Sequence, residues 1–170
     1  HDPATLRGIP EAAELIRNAV MRQKKICVYG DYDVDGVTAT ALLYQHLKGM
    51  GATVKCMLPS REGDGYGRSR NAIRSIHDKG CKLIVTVDNG ISAVEEIKRA
   101  KEAGIEVVVT DHHALPQQLP PADALVNSAF EENSSPCRYL CGAAMAFKLI
   151  AALEQQMQGE DPQNLLLEQY

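Results

Sequence analysis

Three short apolar runs in this chain each end at an aspartate, and an acidic or histidine-bearing turn follows each of them. The runs are KKICVYG before Asp31, KLIVTV before Asp88 and IEVVVT before Asp111. Near-continuous runs of Val, Ile and Leu are typical of strands that are buried on both faces of a sheet. Because helical patterns separate these runs, we predict an α/β fold with an open, mostly parallel five-stranded sheet and helices on both faces.

The predicted elements alternate along the chain. We predict strands at 24–30, 53–58, 82–87, 105–110 and 124–126. We predict helices at 10–23, 37–50, 71–79, 92–104 and 142–157. Ser92 and Glu95 have the spacing of a capping box, which places one helix start there. Since open α/β sheets bind ligands beyond the carboxyl ends of their strands, the three aspartates are predicted to lie at the functional edge.

Composition limits the class of protein. The chain has 170 residues and a formal net charge of −4, which suits one globular domain and is not typical of a nonspecific nucleic-acid binder. No apolar run approaches the roughly 20 residues that a membrane span needs. Five scattered cysteines argue against a disulfide framework and favour a reducing cytoplasm. The chain begins at His1, from which we expect it to be part of a longer protein.

The sequence DYDVDG contains three carboxylates within five residues: Asp31, Asp33 and Asp35. Such carboxylates repel one another unless cations or protons compensate. An EF-hand is excluded, because Leu42 occupies the twelfth position, where a calcium loop needs a bidentate Glu. A solvated acidic turn remains the alternative to a metal site.

The other two strand ends carry VDNG and TDHH. Alone, Asp88 before Asn-Gly is more often a turn residue than a ligand. Asp111 followed by His112 and His113 is less ordinary, and carboxylates with imidazole suit Mn²⁺, while Mg²⁺ accepts the carboxylates. Together the three clusters offer ligands for two ions about 4 Å apart, an arrangement suited to phosphoester hydrolysis.

These motifs occur in an order that resembles a known family. DYDVDG, VDNGI and TDHH, with REGDGYG, ADALVN and LCGAAMAFKLI, resemble the RecJ branch of the DHH phosphoesterases over nearly the whole chain. The resemblance implies that residues 1–170 form a DHH catalytic domain that stops before the last metal-ligand motif and a C-terminal substrate-binding domain. It also implies 5′-to-3′ exonuclease activity on single-stranded DNA in repair or recombination, with two Mn²⁺ or Mg²⁺ ions.

The resemblance assigns roles residue by residue. Five residues would ligate the metals: Asp31, Asp33, Asp35, Asp88 and His112. Asp88 would bridge both ions, Asp111 would orient the site, and His113 would lie near the scissile phosphate or contribute to the metal shell. Five residues of the loop at 60–70 would contact substrate: Arg61, Tyr66, Gly67, Arg68 and Arg70. A flexible surface loop is the alternative interpretation of that segment.

Two other functions remain open. A DHH phosphodiesterase could act on short oligonucleotides or cyclic dinucleotides, but sequences of that branch more often carry His where this chain has Tyr29. A non-catalytic DHH module could serve as a scaffold in a replication assembly. We expect no membrane association, and the family suggests single-strand-binding protein or a helicase as protein partners.

Overall fold

The computed structural model describes residues 2–59 and 66–158, with side chains described for residues 2–59 and 71–157. Five strands run through these residues: β1 (Ile26–Tyr29), β2 (Val54–Met57), β3 (Leu83–Val87), β4 (Glu106–Asp111) and β5 (Ala124–Asn127). Five α-helices accompany them: α1 (Ile9–Met21), α2 (Val34–Gly49), α3 (Tyr66–Asp78), α4 (Val94–Glu102) and α5 (Gly142–Gln158). Short 3₁₀ helices cover Pro3–Thr5 and Ser128–Phe130.

The strands form one sheet in the order β2-β1-β3-β4-β5, and every pair is parallel. The predicted open, mostly parallel five-stranded sheet is therefore confirmed, with no antiparallel strand in the described part of the chain. From β1 the chain moves outward to β2 and then returns to the other side of β1. The direction of winding thus reverses between β1 and β3, which is the topological switch point of the sheet.

Two apolar cores cover the two faces of the sheet. Ile26 and Val28 point to the face that packs against α1, α2 and α5, whereas Cys27 points to the face that packs against α3 and α4. This alternation follows from the period of two along a strand. Since both faces are covered, the strands need apolar residues at every position, as the sequence indicates.

Helix starts differ from the predictions at three points. α2 begins at Val34 rather than 37, because the Asp33 carboxylate accepts a hydrogen bond from Gly36 N at 2.8 Å and caps the helix. α3 begins at Tyr66, so residues 66–70 of the predicted loop are helical. The capping box at Ser92 is wrong, since Ala93 is the N-cap of α4 and no side chain caps that helix. Within the described residues, no helix combines the length and apolar character that crossing a membrane requires.

Gly8 tests how tightly the first helix is docked, and Gly49 is the control. Gly8 has φ +83°, and a Cβ there would collide with the carbonyl oxygen of Leu125. We therefore expect Gly8→Ala to lower the free energy of unfolding by at least about 1–2 kcal/mol. Gly49, at the end of α2, faces open space, and Gly49→Ala should leave stability unchanged or raise it by up to about 1 kcal/mol. Urea denaturation measures both, and equal stability of the two variants would contradict this docking.

Candidate metal centre at the carboxyl edge of the sheet

Three adjacent parallel strands bring the aspartates together. Asp31 follows β1, Asp88 follows β3 and Asp111 ends β4, and these strands are neighbours in the sheet. Among the described residues, two sets of side chains have ligand atoms within 4.8 Å of one another: Asp31, Asp33 and Asp88 in one, and Asp88, His112 and His113 in the other. Asp88 alone belongs to both sets. The arrangement therefore offers two neighbouring cation positions that share one carboxylate.

Asp88 is a buried carboxylate without a hydrogen-bond donor. Its exposed fraction is 0%, and neither Oδ1 nor Oδ2 accepts a hydrogen bond from the described part of the chain. His112 Nε2 lies 2.9 Å from Oδ1 without hydrogen-bond geometry. Because an uncompensated buried charge is costly, this carboxylate needs a proton or a cation. The residues present therefore fit a divalent cation with oxygen and imidazole ligands.

Asp111 is equally buried but is fully engaged by the protein. Its Oδ1 accepts hydrogen bonds from the backbone N of His112 (2.7 Å) and His113 (3.1 Å), and lies 2.6 Å from His113 Nδ1. Its Oδ2 accepts a hydrogen bond from Ile91 N at 3.0 Å. Asp111 thus ties the two histidines to the turn after Asp88. It belongs to neither ligand set, and this agrees with an orienting role.

Asp35 connects the site to the last helix. Its Oδ2 accepts a hydrogen bond from Gly142 N and its Oδ1 from Ala143 N, both at 2.7 Å, at the first turn of α5. A carboxylate at a helix N-terminus is stabilised by the unpaired N–H groups and the helix dipole. Asp35 Oδ2 also lies 3.6 Å from His112 Nε2. Asp35 therefore faces the site but is in neither ligand set.

The environment shifts the pKa values of these groups in different directions. Burial raises the pKa of Asp88 to about 7, and the charges of Asp35 and Asp33 add to the effect. Burial also acts to raise the pKa of Asp35, but hydrogen bonds from Ala143 and Gly142 outweigh it and lower that pKa. The hydrogen bond with Asp111 raises the pKa of His113. Asp88 is thus the carboxylate that holds a proton most readily when no cation compensates.

Two supporting residues escaped the sequence-based prediction. Asn127, at the end of β5, donates from Nδ2 to His113 O (3.1 Å) and accepts at Oδ1 from Ala129 N (2.7 Å). The sequence feature that could have identified Asn127 is a polar residue at the end of a buried strand. Gly142 lies so close to Asp88 that a Cβ would overlap the carboxylate. Gly142 belongs to the quoted motif LCGAAMAFKLI, but the motif gives it no role, because its contact with Asp88 joins segments far apart in sequence.

The predicted substrate loop lies outside the described side chains. Arg61 lies outside the described residues. For Tyr66, Gly67, Arg68 and Arg70 only the helical backbone is described. Their predicted contacts with substrate therefore stay predictions.

Comparisons with known proteins agree on one family. The model of the DHH family, N-terminal domain, matches residues 25–169. A single-stranded-DNA-specific exonuclease RecJ from Bacillus subtilis is 43% identical over 166 residues, which cover 98% of this chain and 21% of the relative.

Solved structures give the same result. RecJ from Thermus thermophilus in complex with Mn²⁺ has a TM-score of 0.77 and 35% identity over 93% of this chain and 22% of that chain. An exonuclease RecJ bound to manganese has a TM-score of 0.78 and 36% identity over 90% of this chain and 39% of that chain. This chain thus spans about a fifth of the length of the Bacillus subtilis relative.

The pKa of Asp88 predicts how stability depends on pH in a metal chelator. The unfolded carboxyl titrates near 3.9, so between about pH 4 and 7 the native state holds the extra proton. Stability conferred by protonated Asp88 is therefore complete below pH 4 and lost as pH rises through 7, by about 4 kcal/mol.

Asp88→Asn should remove this loss. Asn tolerates the φ of +61° at this position. We expect the variant to be more stable than wild type at pH 8 and similar at pH 4, as measured by urea denaturation in chelator. Parallel pH profiles of the two proteins would show that Asp88 does not titrate in this way.

Asp35 should have the opposite pH dependence. Its lowered pKa means that its stabilising contribution is present above about pH 4 and is lost as pH falls further. We expect Asp35→Asn to cost about 1–2 kcal/mol at pH 7 in chelator, because one carboxylate acceptor facing α5 becomes an NH₂. The exposed Asp78→Asn on α3 is the control and should change stability by less than about 0.5 kcal/mol. If Asp35→Asn left stability unchanged at pH 7, the proposed capping of α5 by the Asp35 carboxylate would be wrong.

Proposed function

Because the chain belongs to the DHH family, as its motifs indicated, we propose that it hydrolyses phosphodiester bonds with two divalent cations, Mn²⁺ or Mg²⁺. We further propose that it is the metal-binding part of an exonuclease that removes nucleotides from the 5′ end of single-stranded DNA. The observation that carries the proposal is Asp88, a buried carboxylate without a donor that is shared by two ligand sets. The substrate and direction of cutting come from the relatives, of which this chain spans only part.

The ligand sets suggest how the ions would be shared. Asp31 and Asp33 would hold one cation, His112 with the neighbouring His113 would hold the other, and Asp88 would serve both. Asp35 stays a predicted ligand of the second position, beside His112. When bound, the two cations activate a water and stabilise the charge that develops on the phosphate.

The remaining groups of the site position the ligands. Asp111 fixes the backbone of both histidines through hydrogen bonds and orients the His113 ring through Nδ1. His113 is the exposed member of the pair, with 55% of its side chain accessible, so it is the group that reaches toward a phosphate. Its raised pKa favours the protonated ring, which suits contact with an anionic oxygen.

A groove beside His112 favours a single-stranded polymer. The groove holds about 470 Å³ and is lined by His112, Leu115, Arg138 and Tyr139. Tyr139 is 81% exposed, and Arg138 Cζ lies 5.9 Å from its ring. Tyr32 in the acidic loop is also more than half exposed. Exposed aromatic rings next to an arginine suit stacked bases and a phosphate backbone.

The two alternatives have less support. Tyr29 stands where the small-substrate branch more often has His, and this residue ends β1 beside the cluster. A scaffold module needs no metal ligands, yet every metal-ligand motif that lies within this chain is intact and two groups of ligand atoms come together. A cytoplasmic location and recruitment by single-strand-binding protein or a helicase belong to the same proposal, and the five free cysteines suit a reducing compartment.

An assay of mononucleotide release tests the activity. We expect Mn²⁺-dependent release from 5′-phosphorylated single-stranded DNA by the protein extended to the length of its curated relatives, and little or none by this chain alone. If neither digests DNA, the polymer-exonuclease proposal is wrong, and dinucleotides and cyclic dinucleotides are the next substrates to test.

Asp88 tests the metal assignment within that assay. Asp88→Asn in the extended protein should reduce hydrolysis at least about 1,000-fold, because both cation positions lose a ligand. Asp78→Asn should leave the rate unchanged. Retained activity in Asp88→Asn would contradict the two-metal assignment, provided the variant folds as it does in the stability measurement above.

A further inference from the structure

A cavity of about 320 Å³ lies on the face of the sheet that carries α3 and α4. Its walls are mainly aliphatic: Ile73 and Ile76 from α3, Ile97 and Ala100 from α4, and Ile84 and Val107 from the sheet. This volume is at the lower end of the roughly 300–1,000 Å³ typical of small-molecule sites. It suits a single aromatic heterocycle with its sugar rather than a stretch of polymer.

The cavity opens at the switch point of the sheet. Tyr29 and Asp31 come from the end of β1, and Thr86, Asn89 and Gly90 come from the end of β3 and the turn after it. α2 and α4, which follow the adjacent strands β1 and β3, pack on opposite faces, and this divergence leaves a crevice between the two strands. Open α/β sheets bind their ligands at this point.

The cavity is continuous with the candidate metal centre. Asp31 belongs to its wall and also to one ligand set, and Asn89 and Gly90 directly follow the shared Asp88. A base in the cavity could therefore belong to the same nucleotide as a phosphate held at the carboxylates. The hydrogen bond from Thr86 Oγ1 to Asn89 O (2.8 Å) holds the rim in place.

The chemistry of the walls selects a base rather than a phosphate. Aliphatic side chains desolvate an aromatic ring well, whereas the Asp31 carboxylate in the lining repels an anion. Asn89 and Ser92 place polar groups among the apolar walls, where the edge of a base needs hydrogen bonds.

We propose that this cavity binds the base of the terminal nucleotide while its phosphodiester lies at the carboxylate cluster, an inference that rests on the proposed hydrolysis. The groove lined by His112 and Tyr139 shares His112 with the cluster, whereas the cavity shares Asp31, and the groove would carry the rest of the strand. A site for one nucleotide on one side and a groove on the other makes the cut fall after a single nucleotide. The geometry thereby accounts for stepwise release of mononucleotides.

Filling the cavity tests the inference. Ala93, the N-cap of α4, lines the cavity, whereas Ala103, the exposed C-cap of the same helix, is not part of its wall. In the extended protein we compare 5′-phosphorylated single-stranded DNA with the same strand carrying an abasic first nucleotide. Wild type and Ala103→Phe should cut the abasic strand with kcat/KM lower by about tenfold or more, since base contacts are lost.

Ala93→Phe should cut both strands at the same low rate, because the ring occupies the place of the base. Ala72→Phe fills the cavity from α3 and serves if Ala93→Phe fails to fold. Unchanged Mn²⁺ affinity in the filled variants separates loss of the base site from damage to the carboxylates. Equal cutting of both strands by wild type, or a base preference that persists in a folded filled variant, overturns the inference and leaves the proposed hydrolysis standing.

If wild type cuts neither strand, the proposed hydrolysis fails. Nucleotide binding to this chain then tests whether the cavity holds a base. Deoxyadenosine monophosphate should shift the NMR signals of Ile73 and Ile97, and 2-deoxyribose 5-phosphate should not. Equal shifts with both compounds, or none with either, overturn the inference. Shifts with the base-bearing compound alone support it.

Discussion

The carboxylate of Asp88 lies fully buried where the end of β3, the His112 ring and the first turn of α5 meet. No group in the described part of the chain donates a hydrogen bond to it, although buried polar groups are rarely left unpaired. The surrounding structure is arranged to keep this oxygen pair available. Gly142 permits the close approach of α5, and a positive φ at Asp88 turns the chain away from the sheet.

The neighbouring carboxylates differ by the N–H groups that reach them. Asp111 accepts backbone hydrogen bonds from Ile91, His112 and His113, and Asp35 accepts two from the start of α5. These hydrogen bonds engage Asp111 in local order and engage Asp35 largely in joining α2 to α5. The oxygen atoms of Asp88 stay available for a cation. Similar residue types at one sheet edge therefore take different roles through their hydrogen bonds alone.

The topology explains why the site has two distinct sides. The strand order places the switch point at β1 and β3, where the helices diverge to opposite faces and leave a cavity beside Asp31. On the other side, the connection after β4 and the segment before α5 form the groove beside His112. The cluster shares Asp31 with the cavity and His112 with the groove, so its residues border two different surfaces.

The sequence by itself determined the class of fold and the edge at which the aspartates gather. Buried strands need apolar residues at successive positions, and the aspartates follow those runs directly, so both signals are local. Local signals were less accurate at helix starts. Because Asp33 caps α2, this helix begins three residues before the predicted start, and Ser92 does not cap α4. Only the tertiary structure decided which carboxylate remains without donors. The contacts that decide it, Asp35 with Gly142 and Asp111 with Ile91, join segments that meet only after folding and leave no periodic pattern in the chain.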